Sequence, residues 1–437
     1  MDAKQTPLFG SIIMQNQPVK DIKPEIVIPG QFKSKNEELY LDEDILSKHI
    51  LMIGGTGCGK SNAFYHIYSQ LKGRMTKDDV AIVFDTKGDY YQKFGKPNDL
   101  LIGNSASYRS NSQKWNVFRE ILSDGWDMNN VTANTQEVSW AIFREAIEKS
   151  KDPFFPNAAR DLFSSILMCI LETGAGDISY KKEFFYNSEL KRSFDESRIE
   201  DIKQILGEHA TQAATTSYLG DCQNGQALGI YSEMLGVVRK ILTGVFAEKG
   251  SFSIRNFVRE RRGKTLFIEY DMAIGDSLSP IYSLLFDLAL KEALGRSTNK
   301  GNVYLICDEF KLLPLLQHIE DGVNFGRGLG VKILAGLQSI NQFYEVYGEY
   351  RGRNIAAGFS SIFAFKANDP DTRKYVTDLF GKNVILEQRK GISNSIIEER
   401  FVSNTVEDWD FNSLSVGEAI VGLPFRKPFC FKFDLYV

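Results

Sequence analysis

Gly54-Gly55-Thr56-Gly57-Cys58-Gly59-Lys60-Ser61 fits the pattern G-x-x-x-x-G-K-S/T. The chemistry open to such a loop is phosphate binding. Its glycines let the backbone wrap with amides inward, and a helix that begins at the loop adds positive potential. Lys60 reaches the β and γ phosphates, and the Ser61 hydroxyl ligates magnesium. A second pattern, Val303-Tyr304-Leu305-Ile306-Cys307, delivers Asp308-Glu309 to the end of an apolar run. There Asp308 would hold the magnesium and Glu309 would polarise the water that attacks the γ phosphate. A third run, Val331 to Ala335, ends at Gly336-Leu337-Gln338-Ser339 and sets the Gln338 amide at the same edge. Gln338 is a candidate to sense the γ phosphate or orient the water, and capping the next helix is its other use. Arg327 lies between Gly326 and Gly328 and is the candidate arginine finger on a neighbouring subunit's nucleotide, although an ordinary surface arginine has the same local sequence. The acids of Asp85-Thr86-Lys87-Gly88-Asp89 suit either tuning of Lys60, Lys87 and the magnesium shell or helix capping.

Such residues need strands that end together. His49 to Ile53, Val80 to Phe84, Thr265 to Tyr270, Val303 to Cys307, Val331 to Ala335 and Ser361 to Phe365 read as buried strands, most of them separated by helix-length segments, and Ser61 to Leu71 has helical spacing. This alternation predicts an α/β fold with a parallel sheet. From Trp115 to about Gly250 the strand signal vanishes. Val138 to Ile147, Ala158 to Leu171, Leu190 to Leu206 and Gly229 to Phe246 have helical spacing, which predicts an all-α insertion. Glu25 to Pro29 and Glu38 to Leu41 form a β-rich arm, while Ala419 to Leu423 and Phe429 to Tyr436 are expected to complete the sheet edge. The expected division is an arm over 1–45, a nucleotide-binding domain over 46–115 and 251–437, and the all-α insertion over 116–250.

The chain of 437 residues is 43% hydrophobic, enough for a sizeable core, which excludes disordered and fibrous classes. Lysine and arginine total 52 against 56 acids, so any polyanion contact must be a local patch and not a global attraction. The stretches Leu162 to Leu171 and Ile281 to Leu290 fall short of the roughly 20 residues that span a bilayer, and Met1-Asp2-Ala3-Lys4 precedes no apolar signal core, so a cytosolic chain without its own anchor is expected. Cys58, Cys169, Cys222, Cys307 and Cys430 form no CxxC pair and fit reduced thiols. His49, His66, His209 and His318 lack metal-ligand spacing and are expected to be structural.

The motifs taken in order, phosphate loop, Asp85 to Tyr90, helical insertion, Cys307-Asp308-Glu309-Phe310 and Gly336 to Ser339, resemble the coupling proteins of type IV secretion, the TraD/TraG-type ATPases of bacterial conjugation. Asp152-Pro153-Phe154-Phe155-Pro156-Asn157-Ala158-Ala159-Arg160 is similar to the segment that opens that family's all-α domain. Gly250-Ser251-Phe252-Ser253-Ile254-Arg255 resembles the stretch leading back to the nucleotide domain, and Arg327 through Gln342, then Tyr347-Gly348, resembles the family's R-x-x-G to Q-S-x-x-Q-x-x-x-x-Y-G run. The resemblance covers about residues 45 to 425. It implies a RecA-like P-loop fold with a mainly parallel central sheet, ATP and Mg2+ as cofactors, and a homo-hexameric ring with nucleotide between subunits. It also implies pumping of single-stranded DNA, or a relaxase–DNA complex, into a secretion channel at the inner membrane. Carried over, Gly54 through Ser61 bind nucleotide, Ser61 and Asp308 bind metal, and Lys60, Glu309, Gln338 and the trans-acting Arg327 serve hydrolysis. The family begins with a membrane-spanning segment that this sequence does not show, which implies docking through a partner or a missing N-terminal anchor. The rival readings are a HerA/FtsK-like ATPase of DNA processing or defence, and a nucleotide-gated platform that recruits proteins.

Overall fold

A computed structural model of the chain describes residues 4–295, 301–313, 315–390 and 396–437. Its strands are β1 Lys4–Phe9, β2 Ile26–Phe32, β3 Lys35–Leu41, β4 Ile50–Ile53, β5 Val80–Asp85, β6 Leu100–Ile102, β7 Lys264–Glu269, β8 Val303–Cys307, β9 Val331–Leu337, β10 Ser361–Phe365, β11 Lys382–Lys390, β12 Ile396–Asn404, β13 Glu418–Gly422 and β14 Phe429–Phe433. The chain divides into two compact units, one of Met1–Ala81, Arg296–Leu312 and Ile319–Val437, the other of Ile82–Gly295 and Leu313–His318.

In the first unit the sheet order is β3-β2-β14-β13-β10-β4-β9-β8. β10, β4, β9 and β8 pair in parallel and β13, β14, β2 and β3 continue antiparallel. Every residue of β4, β8, β9 and β10 is buried. Parallel strands covered on both faces must be apolar throughout, which is why they read clearly in the sequence. The C-terminal strands do not form the edge, contrary to expectation. Phe429, Phe431 and Phe433 are all buried on β14, and that strand sits inside the sheet. The edge falls to β3, whose exposed Lys35 and Glu38 discourage further pairing. A separate antiparallel sheet, β1-β11-β12, was not foreseen at β1 and β11. Its third strand, β12, whose first five residues are all exposed, falls in the tail from Ile396 onward that reads as β-like.

The second unit places β5, β7 and β6 in that order, with β6 and β7 parallel. Its helices Met128–Lys149, Phe154–Gly174, Gly225–Ile241 and Gly275–Leu294 pack on one another. Helix Phe154–Gly174 is long and apolar enough by length and composition to cross a membrane, and here it packs against Met128–Lys149 and Gly225–Ile241. The continuous helix expected over Leu190 to Leu206 is two, Asn187–Glu196 and Ile199–Glu208. The break is at extended Ser197 and Arg198, where Asp201 accepts the Arg198 N–H at 2.8 Å and starts a new helix. The expected helix to Phe246 stops at Ile241 and resumes as a short turn over Gly244–Ala247, which Asn104 Oδ1 secures by accepting the Val245 N–H at 2.8 Å.

The chain enters and leaves its helical segment side by side. Phe252 N–H donates to Lys114 O at 3.0 Å and Asn116 N–H to Phe252 O at 2.9 Å. Buried Glu120 accepts the Trp115 indole N–H at 2.9 Å and the Ile254 and Arg255 amides at 2.9 Å. Buried Arg255 then donates to Asn134 at 2.6 Å and to Glu137, which joins this junction to helix Met128–Lys149. An isolated buried carboxylate costs several kcal/mol, so Glu120 is sustained by these donors.

Candidate nucleotide-binding site

β4 lies between β9 and β10, so the loop leaving it is held from both sides. Gly54 N–H donates to Leu337 O at 3.1 Å and Gly55 N–H to Lys366 O at 2.9 Å. The loop ends at Gly59, the N-cap of helix Lys60–Arg74, with φ 108°. A methyl at Gly59 would lie 2.8 Å from Gly417 Cα, and the Gly417 N–H donates to Cys58 O at 2.9 Å. The turn before β13 is therefore the backing plate of the loop, and no local pattern in the sequence pointed to it.

Lys60 is only 7% exposed. Its ammonium donates to Gly54 O at 2.6 Å and Gly55 O at 3.1 Å, which keeps the charge solvated by the loop's own carbonyls at the helix N-terminus. Ser61 Oγ donates to Asp308 Oδ2 at 2.5 Å. The end of β8 reaches the loop because Gly336 on adjacent β9 has no side chain: a methyl there would lie 2.0 Å from Asp308 O.

Next to that pair, Gln338 Nε2 donates to Glu309 Oε2 at 2.9 Å while Gln338 Oε1 accepts from Thr56 Oγ1 at 3.3 Å. One amide thus joins the phosphate loop to the second acid. The Gln338 side chain does not cap the next helix: Ser339 Oγ accepts the N–H of its first residue, Asn341, at 3.1 Å, and Gln342 Oε1 reaches back to accept the Gln338 N–H at 3.0 Å. Burial pushes the Cys58 thiol up against the pull of Lys60, and burial followed by Glu309 and Asp308 pushes Cys307 well up, so both thiols stay protonated beside the acids.

The structure therefore gathers Thr56, Lys60, Ser61, Asp308, Glu309 and Gln338. Arg327 stands in the turn Gly326–Leu329 with its side chain 57% exposed, and pairs with Asp44 at 2.7 Å. Phe325 beside it is also exposed. Of the two uses weighed for Asp85, the structure shows capping: the buried carboxylate accepts the Tyr91 N–H at 2.9 Å in helix Asp89–Phe94. Burial raises its pKa against the amides of Tyr91, Tyr90 and Lys87. The histidines bond to protein groups: His49 to the Ile333 N–H, His66 to Asp434 O, His209 to Glu172 and His318 to Asp287.

A family model described as the type IV secretion-system coupling protein DNA-binding domain matches residues 38–424. The coupling protein TraD of Escherichia coli (strain K12) is 21% identical over 394 residues, which is 89% of this chain and 51% of TraD. The chain thus spans about half the length of that relative. Among solved structures, the unbound bacterial conjugative coupling protein TrwBdeltaN70 aligns with a TM-score of 0.72 at 22% identity, over 91% of this chain and 88% of that one. The plasmid coupling protein TrwB in complex with ADP and Mg2+ aligns with a TM-score of 0.71 at 20% identity, over 100% of this chain and 96% of that one. These likenesses show the fold, a RecA-like α/β architecture with a mostly parallel central sheet and many helices.

Proposed function

The chain belongs to the type IV secretion-system coupling proteins, and we propose that it is an ATP-hydrolysing motor that recruits single-stranded DNA, or a relaxase–DNA complex, and drives it toward a secretion channel. The observation that carries the reading is the convergence of Lys60, Ser61, Asp308, Glu309 and Gln338 on one loop. In a phosphoryl-transfer enzyme the protein chiefly positions groups and stabilises charge, and these are the groups required. The likeness to TrwB, whose structure holds ADP and Mg2+, supports ATP and magnesium as cofactors.

The residues fit magnesium: a hydroxyl and a carboxylate, both hard oxygen donors, already meet at 2.5 Å. Ser61 and Asp308 would hold the ion, which supplies charge neutralisation at the phosphates. Lys60 would exchange its loop carbonyls for phosphate oxygens. Glu309 takes the proton of the attacking water, and Gln338 fixes the orientation of that carboxylate. Arg327, exposed in its turn, would complete the site of a neighbour in a homo-hexameric ring. Residues 116–250 form the helical insertion of this motor, and the protein acts in the cytoplasm at the inner membrane.

The test is the ATPase rate with single-stranded DNA, double-stranded DNA and no DNA, measured alongside assembly state and DNA affinity over a range of salt. Stimulation by single strands is expected, with a salt slope of roughly −0.7 per phosphate contact. Absence of hydrolysis under all conditions would refute the motor. Affinity unchanged by salt would refute a path that follows the DNA backbone.

A further inference from the structure

Gln338 bridges two parts of the site, so whatever fixes its backbone acts on both. The residue after it does not face the nucleotide loop. Ser339 Oγ donates to Asp369 Oδ2 at 2.6 Å, and the same oxygen accepts from Thr372 Oγ1 at 2.5 Å and from the Thr372 N–H at 3.0 Å. Thr372 Oγ1 in turn accepts the Ile340 N–H at 2.9 Å, and Thr372 is fully buried. The turn after β9 is thereby fastened to the first turn of helix Pro370–Phe380 at two successive residues, Ser339 and Ile340. The segment leading to that helix is fastened to the phosphate loop, since Lys366 O accepts the Gly55 N–H at 2.9 Å, and to the helix itself, since Arg373 Nη1 donates to Asn368 O at 2.7 Å. Burial alone would raise the Asp369 carboxyl, but the Ser339 and Thr372 donors hold it below its usual value, so the acceptor stays charged at neutral pH.

We propose that Ser339, Asp369 and Thr372 form a clamp that positions Gln338, so that these three residues act on hydrolysis through Gln338 and never touch the nucleotide. The proposal rests on the ATPase reading of the site. The clamp joins the segment after β10 to the loop after β9. Any movement of helix Pro370–Phe380 is therefore passed to the amide that links Thr56 to Glu309.

Asp369 is also the N-cap of its helix, so replacing it would confuse two roles. Ser339→Ala cuts the link and leaves that cap intact, while also removing the bond by which Ser339 Oγ accepts the Asn341 N–H at 3.1 Å. With one hydrogen bond worth roughly a fivefold change, kcat should fall by about that factor while KM moves little, and Ser339→Thr should restore the rate. The decisive comparison is epistatic. Ser339→Ala placed on Gln338→Ala should cost nothing further in kcat, because the clamp acts on hydrolysis through Gln338. Losses that multiply, or an unchanged kcat in Ser339→Ala, overturn the proposal. Amide hydrogen exchange of the nucleotide-free protein tests the clamp without hydrolysis. The amides of Gln338 and Ile340, which are bonded to Gln342 and Thr372 and not to Ser339, should exchange roughly tenfold faster in Ser339→Ala, and unchanged protection of both overturns the clamp. If wild-type protein shows no ATPase activity while the exchange result holds, the ATPase reading fails and the clamp stands.

Discussion

Gly59→Ala and Gly57→Ala look equivalent in sequence, since each adds one methyl to the same loop, and the structure separates them. Gly57 has φ 74° with nothing within 4 Å of an added Cβ, so alanine there meets only the cost of a left-handed backbone, about 1–2 kcal/mol. Gly59 has φ 108°, and its added Cβ would lie 2.8 Å from Gly417 Cα and 2.9 Å from Gly417 N. Those are backbone atoms tied by the Gly417 N–H to Cys58 O, so they cannot yield as the end of a flexible side chain could. Overpacking of that kind adds about 1–3 kcal/mol, which brings Gly59→Ala to about 2–5 kcal/mol in all. The assay is urea unfolding of both variants beside wild type, with binding of a fluorescent ATP analogue measured on the same preparations. The expected midpoint order is wild type, then Gly57→Ala, then Gly59→Ala, at unchanged m-value, with analogue binding lost most in Gly59→Ala. Equal destabilisation by the two substitutions would refute the assignment of Gly417 as the rigid backing of the loop.

Lys60→Ala should abolish hydrolysis without unfolding the protein, and Glu309→Gln should bind ATP yet lose on the order of 10²–10⁴ in kcat; near-normal steady-state turnover in either removes the assigned role. Burial lowers the His49 pKa to about 4, against the Gly322 and Val323 backbone, from an ordinary value of 6.5. The folded protein therefore resists a proton that the unfolded chain accepts. Stability from this group is complete above the unfolded value and declines as pH falls toward the folded one, by up to about 3 kcal/mol. His49→Asn, which suits φ 61°, should flatten the urea midpoint between neutral and acid pH relative to wild type, and identical pH slopes would count against it. Arg327→Ala loses only an exposed pair with Asp44, so unfolding should shift by less than about 1 kcal/mol. Hydrolysis should nonetheless fall by on the order of 10³ and reappear when the variant is mixed with Lys60→Ala. A mixture that stays inactive despite proven co-assembly rules out the trans role.

The elements and chemical groups of this site were legible in the sequence because their signals are local. The glycine-rich loop is a contiguous pattern, and β4, β8, β9 and β10 are short apolar runs because each is covered on both faces. Capping chemistry at Ser197 and Arg198 is equally local, yet the apolar period ran across it and masked the break. What the sequence could not show are pairings between residues far apart in the chain. Cys58 with Gly417, Gly55 with Lys366 and Ser339 with Asp369 each depend on which strand lies beside which. A hydrogen bond needs its partners about 3 Å apart, and the sheet order β13-β10-β4-β9-β8 brings the ends of these segments within that reach. Motif and periodicity thus determined that a glycine-rich loop and two acids lie at strand ends. The tertiary structure decided that Ser61 meets Asp308, that Gln338 joins Thr56 to Glu309, and that Arg327 faces outward, since distance and direction between strand ends are properties of packing and not of spacing along the chain.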